Sequence, residues 1–201
     1  MITLKNTELQ HVTPESVGVK SSAIKAFVDE INSKKLGLQS FTMVRHDKVF
    51  AQGFWKPYAA DIPHVLYSMS KSVTSTAVGF AVDEGLISLD DKVCKFFPEY
   101  FAAKLPINKA LTVRMLLTMR SDKFITVFDE KGGKDWIKQF FDAGYMMPPN
   151  TKFNYISENT FMLSAIVSKV TGMSVADYLY PRMFAPLGIE KPFWETDGKG
   201  N

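Results

Sequence analysis

The chain has 201 residues, of which 46% are hydrophobic and 22% are charged, and its formal net charge is +3. This composition is typical of a soluble globular protein, long enough for one buried core or for a core with an added lobe. The small net charge, carried by scattered lysines, argues against nucleic acid as a partner. Because Cys94 is the single cysteine and the three histidines lack metal-ligand spacing, we expect no internal disulfide and no metal.

The N-terminal residues contain no apolar segment of the kind found in signal peptides, and no run of about 18 apolar residues occurs anywhere in the chain. We therefore expect a cytoplasmic protein without a membrane span. A chain whose leader had been removed would show the same pattern.

The first part of the chain predicts one helix and one hairpin. Apolar residues recur at helical spacing over residues 21–31, and Ser21 or Ser22 is expected to cap this helix. Two apolar segments, 41–44 and 49–55, are separated by four polar residues. Their spacing predicts a β-hairpin.

Helices dominate the rest of the chain. Small and apolar residues at helical spacing predict a helix from Ser68 to Glu84, which Gly85 ends. Shorter helices and one loop follow: a helix that Thr112 caps through Leu117, a helical face around Trp136, a loop over 121–134, a helix over 160–170 ended by Gly172, and a helix over 175–184.

The tetrad Ser68-Met69-Ser70-Lys71 carries a serine and a lysine three residues apart. On a helix this spacing places the Lys71 ammonium on the same face as the Ser68 hydroxyl. A serine hydroxyl becomes a good nucleophile when a neighbouring base takes its proton, and a desolvated lysine is such a base. The helix N-terminus, with the Ser68 N–H, would favour a developing oxyanion. The hypothesis is that Ser68 is a catalytic nucleophile and Lys71 its partner.

This tetrad alone is a weak signal, because Ser22-Ala23-Ile24-Lys25 has the same spacing. For that second tetrad we favour a serine-capped helix with a solvated lysine. For Ser68 to Lys71 the competing interpretation is a polar helix start that Ser70 or Ser72 merely caps. An apolar face behind the tetrad indicates that its helix is buried, which favours the catalytic interpretation.

Tyr155-Ile156-Ser157 follows a turn and precedes a second buried helix. A phenol close to a lysine can have a lowered pKa and pass on a proton, and Ser157 can hydrogen-bond the lysine. The competing interpretation is a core aromatic residue with a satisfied hydroxyl. These residues alone leave both interpretations of Tyr155 open.

Several segments, in this order, resemble the superfamily of class C-like serine β-lactamases, penicillin-binding proteins and family VIII esterases. They are residues 66–75, 83–93 with 97–99, 111–118, 155–157, and 172 with 186–189. The resemblance runs from about Ser21 to the end. It implies an α/β (α+β) fold, with an antiparallel sheet flanked by helices and a helical lobe, and double-displacement acyl transfer without a cofactor. Because Tyr155-Ile156-Ser157 occupies the place of the family's Tyr-x-Asn or Tyr-x-Ser motif, the resemblance also implies that Tyr155 is the third catalytic residue and that Ser157 is a substrate-binding residue.

The chain departs from this family at two places. Arg120-Ser121-Asp122 stands where the family usually has a Ser-Gly pair, and the family's third motif, Lys-Thr-Gly or His-x-Gly on a late strand, has no counterpart. We expect one domain over 1–201, incomplete at its C-terminus. Its expected parts are a hairpin at 40–55, a nucleophile helix at 68–85 and a helical lobe over about 86–190.

A lone hairpin is marginal in water and leaves an unpaired edge. We therefore expect the chain to self-associate or to bind a C-terminal companion chain that supplies the missing strands. The expected function is a serine acyl hydrolase that acts on a small-molecule ester, amide or β-lactam. The alternatives are a catalytically silent half-protein and an acyltransferase that uses the same acyl-enzyme.

Overall fold

The computed structural model describes residues 9–101, 106–124, 135–197 and 199–201. The chain divides into two compact units, with the boundary between Val65 and Leu66. The single domain expected over 1–201 stays a prediction. No helix in the described ranges is long and apolar enough to cross a membrane.

Over its described residues, 9–65, the first unit contains one α-helix and a three-stranded sheet: β1 (Gln10–His11), α1 (Ser21–Ser33), β2 (Ser40–Arg45) and β3 (Lys48–Phe54). The strand order is β1-β3-β2. Strand β2 is antiparallel to β3, whereas β1 runs parallel to it. The sheet is therefore mixed: the antiparallel pair β2–β3 is as expected, and β1 adds a parallel strand that was not expected. A strand of two residues carries no periodicity from which it could be predicted.

The predicted hairpin is confirmed, with a two-residue turn between Arg45 and Lys48. His46 and Asp47 form the turn with φ angles of 51° and 56°. Two positive φ values in succession twist the backbone in the sense of the flanking strands, which is why such turns are favoured in tight hairpins.

The predicted cap of α1 is wrong. Ser21 and Ser22 both lie inside the helix, and Lys20, which makes no side-chain cap, precedes it. Glu15 Oε1 instead accepts a hydrogen bond of 2.7 Å from the Ser21 backbone N–H. The cap thus comes from the preceding turn, and the spacing of apolar residues along the helix could not predict it. The helix packs on the sheet through Phe27, whose ring lies 5.3 Å from that of Phe41.

The second unit is helical. Its α-helices are α2 (Ser70–Asp83), α3 (Val93–Phe96), α4 (Pro98–Phe101), α5 (Val113–Leu117), α6 (Trp136–Asp142), α7 (Ser157–Thr171) and α8 (Val175–Leu179). The core lies where α2 packs against α7. Ala77 and Ala81 of α2 and Met162 and Ile166 of α7 are fully buried there. Small residues on α2 allow close approach of the two helices, so the start of each helix is held in a fixed place.

Most predicted helix ends in this unit are confirmed. Thr112 caps α5 by accepting from the Met115 N–H at 3.3 Å. Gly85 and Gly172 follow α2 and α7 with φ angles of 72° and 70°, the left-handed conformation that glycine adopts readily. The helix predicted over 175–184 is split, because α8 ends at Leu179 and a π-helical turn, Tyr180–Phe184, follows.

Only the first residues of the loop predicted over 121–134 belong to the described part of the chain; 125–134 lie outside it. Residues 121–124 are not helical, as expected. Despite their polar composition, Ser121, Asp122 and Lys123 are completely buried. Lys123 forms an antiparallel bridge with Tyr145, which places this polar segment beside the chain that leads to Tyr155.

Candidate active site

Ser68 lies in a 3-10 turn, Tyr67–Met69, that runs directly into α2. The regular helix therefore begins at Ser70, two residues later than predicted. Tyr67 has a φ of 45° although it is not glycine. This left-handed conformation costs about 1–2 kcal/mol for an ordinary residue, and such strain is concentrated at functional sites. Ser68 is exposed, and Tyr67 is 81% exposed.

Lys71 lies in the first turn of α2 and is half-buried. Its Nζ donates a hydrogen bond of 3.2 Å to Ser68 Oγ. The predicted pair is therefore within the reach that proton transfer requires. No side chain caps the start of α2, so the interpretation of Ser70 as a mere capping residue has no support here.

The second tetrad has a different environment. Lys25 is 76% exposed at its side chain and pairs with Asp29, four residues further along α1, at 2.5 Å. This arrangement fits a solvated lysine on a helix surface, as favoured from the sequence.

Tyr155 lies beside the first two residues of the site. Its ring centroid is 5.2 Å from Lys71 Nζ, and the side chain is half exposed. Hydrogen bonding to Ser68, and secondarily to Lys71, lowers the pKa of Tyr155 from its ordinary value. Donors to the phenolic oxygen favour the phenolate, which is the form that could accept a proton. The three predicted catalytic residues are thus brought together.

The extended backbone just before α7 explains why the side chains of Tyr155 and Ser157 point to the same side. Ile156 is extended, with φ −133° and ψ 138°, and its side chain is buried. Successive side chains of an extended backbone point to opposite sides, so Tyr155 and Ser157 both face away from the core. Ser157 lines the same cleft as Lys71. A hydrogen bond between Ser157 and Lys71 is not found among the described residues.

This cleft has a volume of about 260 Å³ and runs between α2 and α7. Its polar wall includes Lys71, Thr74 and Ser157, and its apolar wall includes Phe161 and Trp194. A mixed lining of this kind suits an organic substrate that has both a carbonyl group and an apolar part.

Sequence reasoning missed the residues that support Tyr155. Asp122, buried and with a φ of 56°, accepts hydrogen bonds from the backbone that precedes Tyr155. The sequence feature that could have pointed to Asp122 is the departure from the family's Ser-Gly pair. Aspartate tolerates the left-handed conformation better than most residues, so it can take the place of glycine there.

Comparison with known proteins decides the family. The beta-lactamase family model matches residues 24–200. The chain belongs to the beta-lactamase family. Within the family, it is 30% identical over 182 residues to penicillin-binding protein 4 of Amycolatopsis lactamdurans, a match that covers 86% of this chain and 44% of that protein.

A second relative is the 6-aminohexanoate-dimer hydrolase of Paenarthrobacter ureafaciens, 24% identical over 200 residues, with 89% of this chain and 50% of that protein covered. The chain thus spans about half the length of these curated relatives. Among solved structures, a penicillin-binding-protein homologue from Caulobacter crescentus superposes with a TM-score of 0.60 at 21% identity, covering 81% of this chain and 48% of that one. The expected fold family is therefore confirmed.

Proposed function

We propose that this beta-lactamase-family protein is a serine acyl hydrolase, with Ser68 as nucleophile and with Lys71 and Tyr155 as its proton-transfer partners. The observation that carries the proposal is the 3.2 Å hydrogen bond from Lys71 Nζ to Ser68 Oγ, beside a tyrosine whose pKa these two residues lower. A nucleophile within reach of two groups that can exchange protons is the arrangement that acyl transfer to serine requires.

In the first half of the reaction, Ser68 Oγ attacks the substrate carbonyl carbon while its proton passes to the Tyr155 phenolate. The Ser68 N–H, in the turn before α2, would donate to the resulting oxyanion. When the bond from carbon to the leaving group breaks, Lys71 gives a proton to the leaving group and takes the proton held by Tyr155 in its place. The products are a serine ester and the free alcohol or amine.

In the second half, water attacks the ester carbonyl of the acyl-enzyme and gives its proton to Tyr155. The carbon–Oγ bond then breaks, and Tyr155 gives the proton it took from water to Ser68 Oγ. The acid product leaves, and the site returns to its starting state. No redox step and no added group is needed for this sequence.

The proposed substrates are small esters, amides and β-lactams, because all three present a carbonyl carbon with a leaving group. One relative is named as a penicillin-binding protein and another as a 6-aminohexanoate-dimer hydrolase, so relatives of this chain differ in what they act on. We expect activated esters to react fastest, since an alkoxide or phenoxide leaves more readily than an amine.

A fluorophosphonate probe tests the proposal, because it forms a stable adduct with an activated serine. We expect one adduct per chain, mapped by mass spectrometry to Ser68 and lost in Ser68→Ala. Ser22→Ala is the matched control, since it alters the other tetrad and should be labelled normally. An adduct on a different serine would refute the assignment. No adduct at all would favour the alternative of a silent half-protein that binds a second chain.

A further inference from the structure

A short polar segment of the second unit, residues 119–123, is buried although its composition suits a surface. Ser121, Asp122 and Lys123 have no exposed surface, and Met119 is nearly buried. Burying a carboxylate is unfavourable unless it receives hydrogen bonds. The bonds made by this segment therefore show what it holds in place.

Asp122 receives its hydrogen bonds from the chain before Tyr155. Its Oδ2 accepts from the Thr151 N–H at 3.0 Å and from the Lys152 N–H at 3.3 Å. Its own backbone carbonyl accepts from the Met146 N–H at 2.8 Å. Among the described residues, Asp122 Oδ1 has no hydrogen-bond partner, so Oδ2 is the side-chain oxygen that holds this backbone.

Asn154, the residue immediately before Tyr155, is held at two atoms. Its N–H donates to the Met119 carbonyl at 2.7 Å, and its Nδ2 donates to the Lys123 carbonyl at 3.0 Å. Arg120 adds a third connection, because its Nε donates to Asn150 Oδ1 at 2.8 Å. Residues 150–154 are thus fastened along their length to residues 119–123.

We propose that Asp122 is a positioning residue for Tyr155, acting through the backbone amides of Thr151 and Lys152. The inference rests on the proposed function, because positioning matters only if Tyr155 exchanges protons with Ser68. Asp122 does not reach the reacting atoms. It sets where the Tyr155 hydroxyl stands relative to Ser68 and Lys71, and a misplacement of about 1 Å at a catalytic group can cost about a hundredfold in rate.

The left-handed φ of Asp122 allows a clean test. Glycine and asparagine both tolerate this conformation, so Asp122→Gly removes the carboxylate without backbone strain, and Asp122→Asn keeps one oxygen acceptor. In the full chain, we expect Asp122→Gly to slow labelling of Ser68 by a fluorophosphonate about ten- to a hundredfold. Asp122→Asn should restore most of the rate. Equal slowing in both variants would contradict the acceptor role.

A second measurement does not depend on catalysis. The pKa of Tyr155 follows from the difference in phenolate absorbance between each protein and the same protein with Tyr155→Phe. If Asp122 positions the tyrosine, Asp122→Gly should raise the pKa of Tyr155 towards that of a free tyrosine. An unchanged pKa together with an unchanged labelling rate would overturn the inference.

Tyr178→Phe is the matched structural control. It removes a hydrogen bond of 2.9 Å to Glu84 from a buried side chain at another place in the same unit. This variant should lower the unfolding temperature. It should alter neither the pKa of Tyr155 nor the balance between the change in kcat and the change in KM. If Tyr178→Phe moved the pKa of Tyr155 as far as Asp122→Gly does, general loosening would replace positioning as the explanation.

Asn154→Ala provides a second test should Asp122→Gly fail to fold, because it removes one side-chain bond and leaves Asp122 in place. We expect this variant to slow the labelling of Ser68 and to raise the pKa of Tyr155, both by less than Asp122→Gly does. A wild-type labelling rate and pKa in this variant would count against the proposal. A wild-type protein that is not labelled would refute the proposed function instead. The pKa measurement would then still decide whether Asp122 positions Tyr155.

Discussion

Residues 67–71 and residues 119–123 are two short polar segments of the same unit in opposite environments. The first begins with a strained, exposed Tyr67 and presents Ser68 to solvent. The second is buried at Ser121, Asp122 and Lys123, and Asp122 Oδ2 and Lys123 Nζ form hydrogen bonds to neighbouring backbone. Reactive groups need access to a substrate, whereas groups that hold a backbone in place gain from exclusion of water. Segments of similar composition therefore have different roles: the first presents reactive groups to a substrate, and the second holds neighbouring backbone in place.

The two lysines of these segments sharpen the contrast. Desolvation lowers the pKa of Lys123 to about 7, opposed only weakly by the charge of Asp142. Its Nζ donates to the Ala143 carbonyl at 2.8 Å and lies 4.1 Å from the centroid of the Tyr145 ring. The attraction of that ring for a cation does not outweigh the loss of water. The pKa of Lys123 thus suits a general base, but its contacts among the described residues are a carbonyl group and two aromatic rings, whereas Lys71 contacts Ser68.

The largest expected effect comes from breaking the exposed segment. Lys71→Ala and Tyr155→Phe should each slow acylation of Ser68 by about two to four orders of magnitude, because each removes a proton-transfer partner. Labelling kinetics measure the rates, and circular dichroism checks the fold. Lys25→Ala, on the exposed face of α1, should react like the wild type. A wild-type rate in Lys71→Ala or Tyr155→Phe would show that residue to be structural.

The pH dependence of labelling should identify the base. If the Tyr155 phenolate takes the Ser68 proton, the rate should rise by up to about tenfold per pH unit and level off at the pKa of Tyr155. Because that pKa is lowered from the ordinary value of 10.0, the plateau should begin below pH 10. Tyr155→Phe should show no such rise. A profile that persists in Tyr155→Phe would assign the ionisation to another group.

Lys123 should make stability depend on pH. Its pKa is about 7 in the folded chain against an ordinary value of 10.5, so the unfolded chain binds the extra proton between these values. The free energy of unfolding should therefore increase with pH in this window, by at most about 1.4 kcal/mol per pH unit, and the penalty should be constant below pH 7. Urea unfolding of wild type and Lys123→Met at pH 7, 8 and 9 tests this.

Lys123→Met should show a flatter pH dependence than the wild type, since the methionine side chain does not titrate. Lys95→Met is the control, because Lys95 is exposed and its removal should leave the slope nearly unchanged. Parallel curves for wild type and Lys123→Met would show that Lys123 keeps an ordinary pKa in the folded chain.

The smallest expected effect concerns the cap of α5, the helix that leads into the buried segment. Thr112→Ala removes the acceptor for the Met115 N–H and should lower the free energy of unfolding by about 1 kcal/mol, whereas Thr112→Ser should keep the cap. Neither variant should alter the labelling rate under conditions where both are folded. Slowing comparable to that of Asp122→Gly would mean that loss of stability alone disturbs the site.

Local rules were enough for several features of this protein. The hairpin, the Thr112 cap, the glycine ends of α2 and α7, and the spacing that joins Ser68 to Lys71 all depend on residues a few positions apart. Backbone geometry relates such neighbours directly, so the pattern of residue types predicts them. The family resemblance added Tyr155, which no local rule connects to Ser68.

Only the tertiary structure decided the rest. Packing of α2 against α7 brings Tyr155 to Lys71, and the fold buries residues 121–123, for which the sequence predicted only a loop. Glu15 caps α1 from an earlier turn, and a parallel β1 joins the sheet. In each case the deciding partner is set by how the chain folds back on itself, and the free energy comes from burial and hydrogen bonds between segments that the local sequence does not relate.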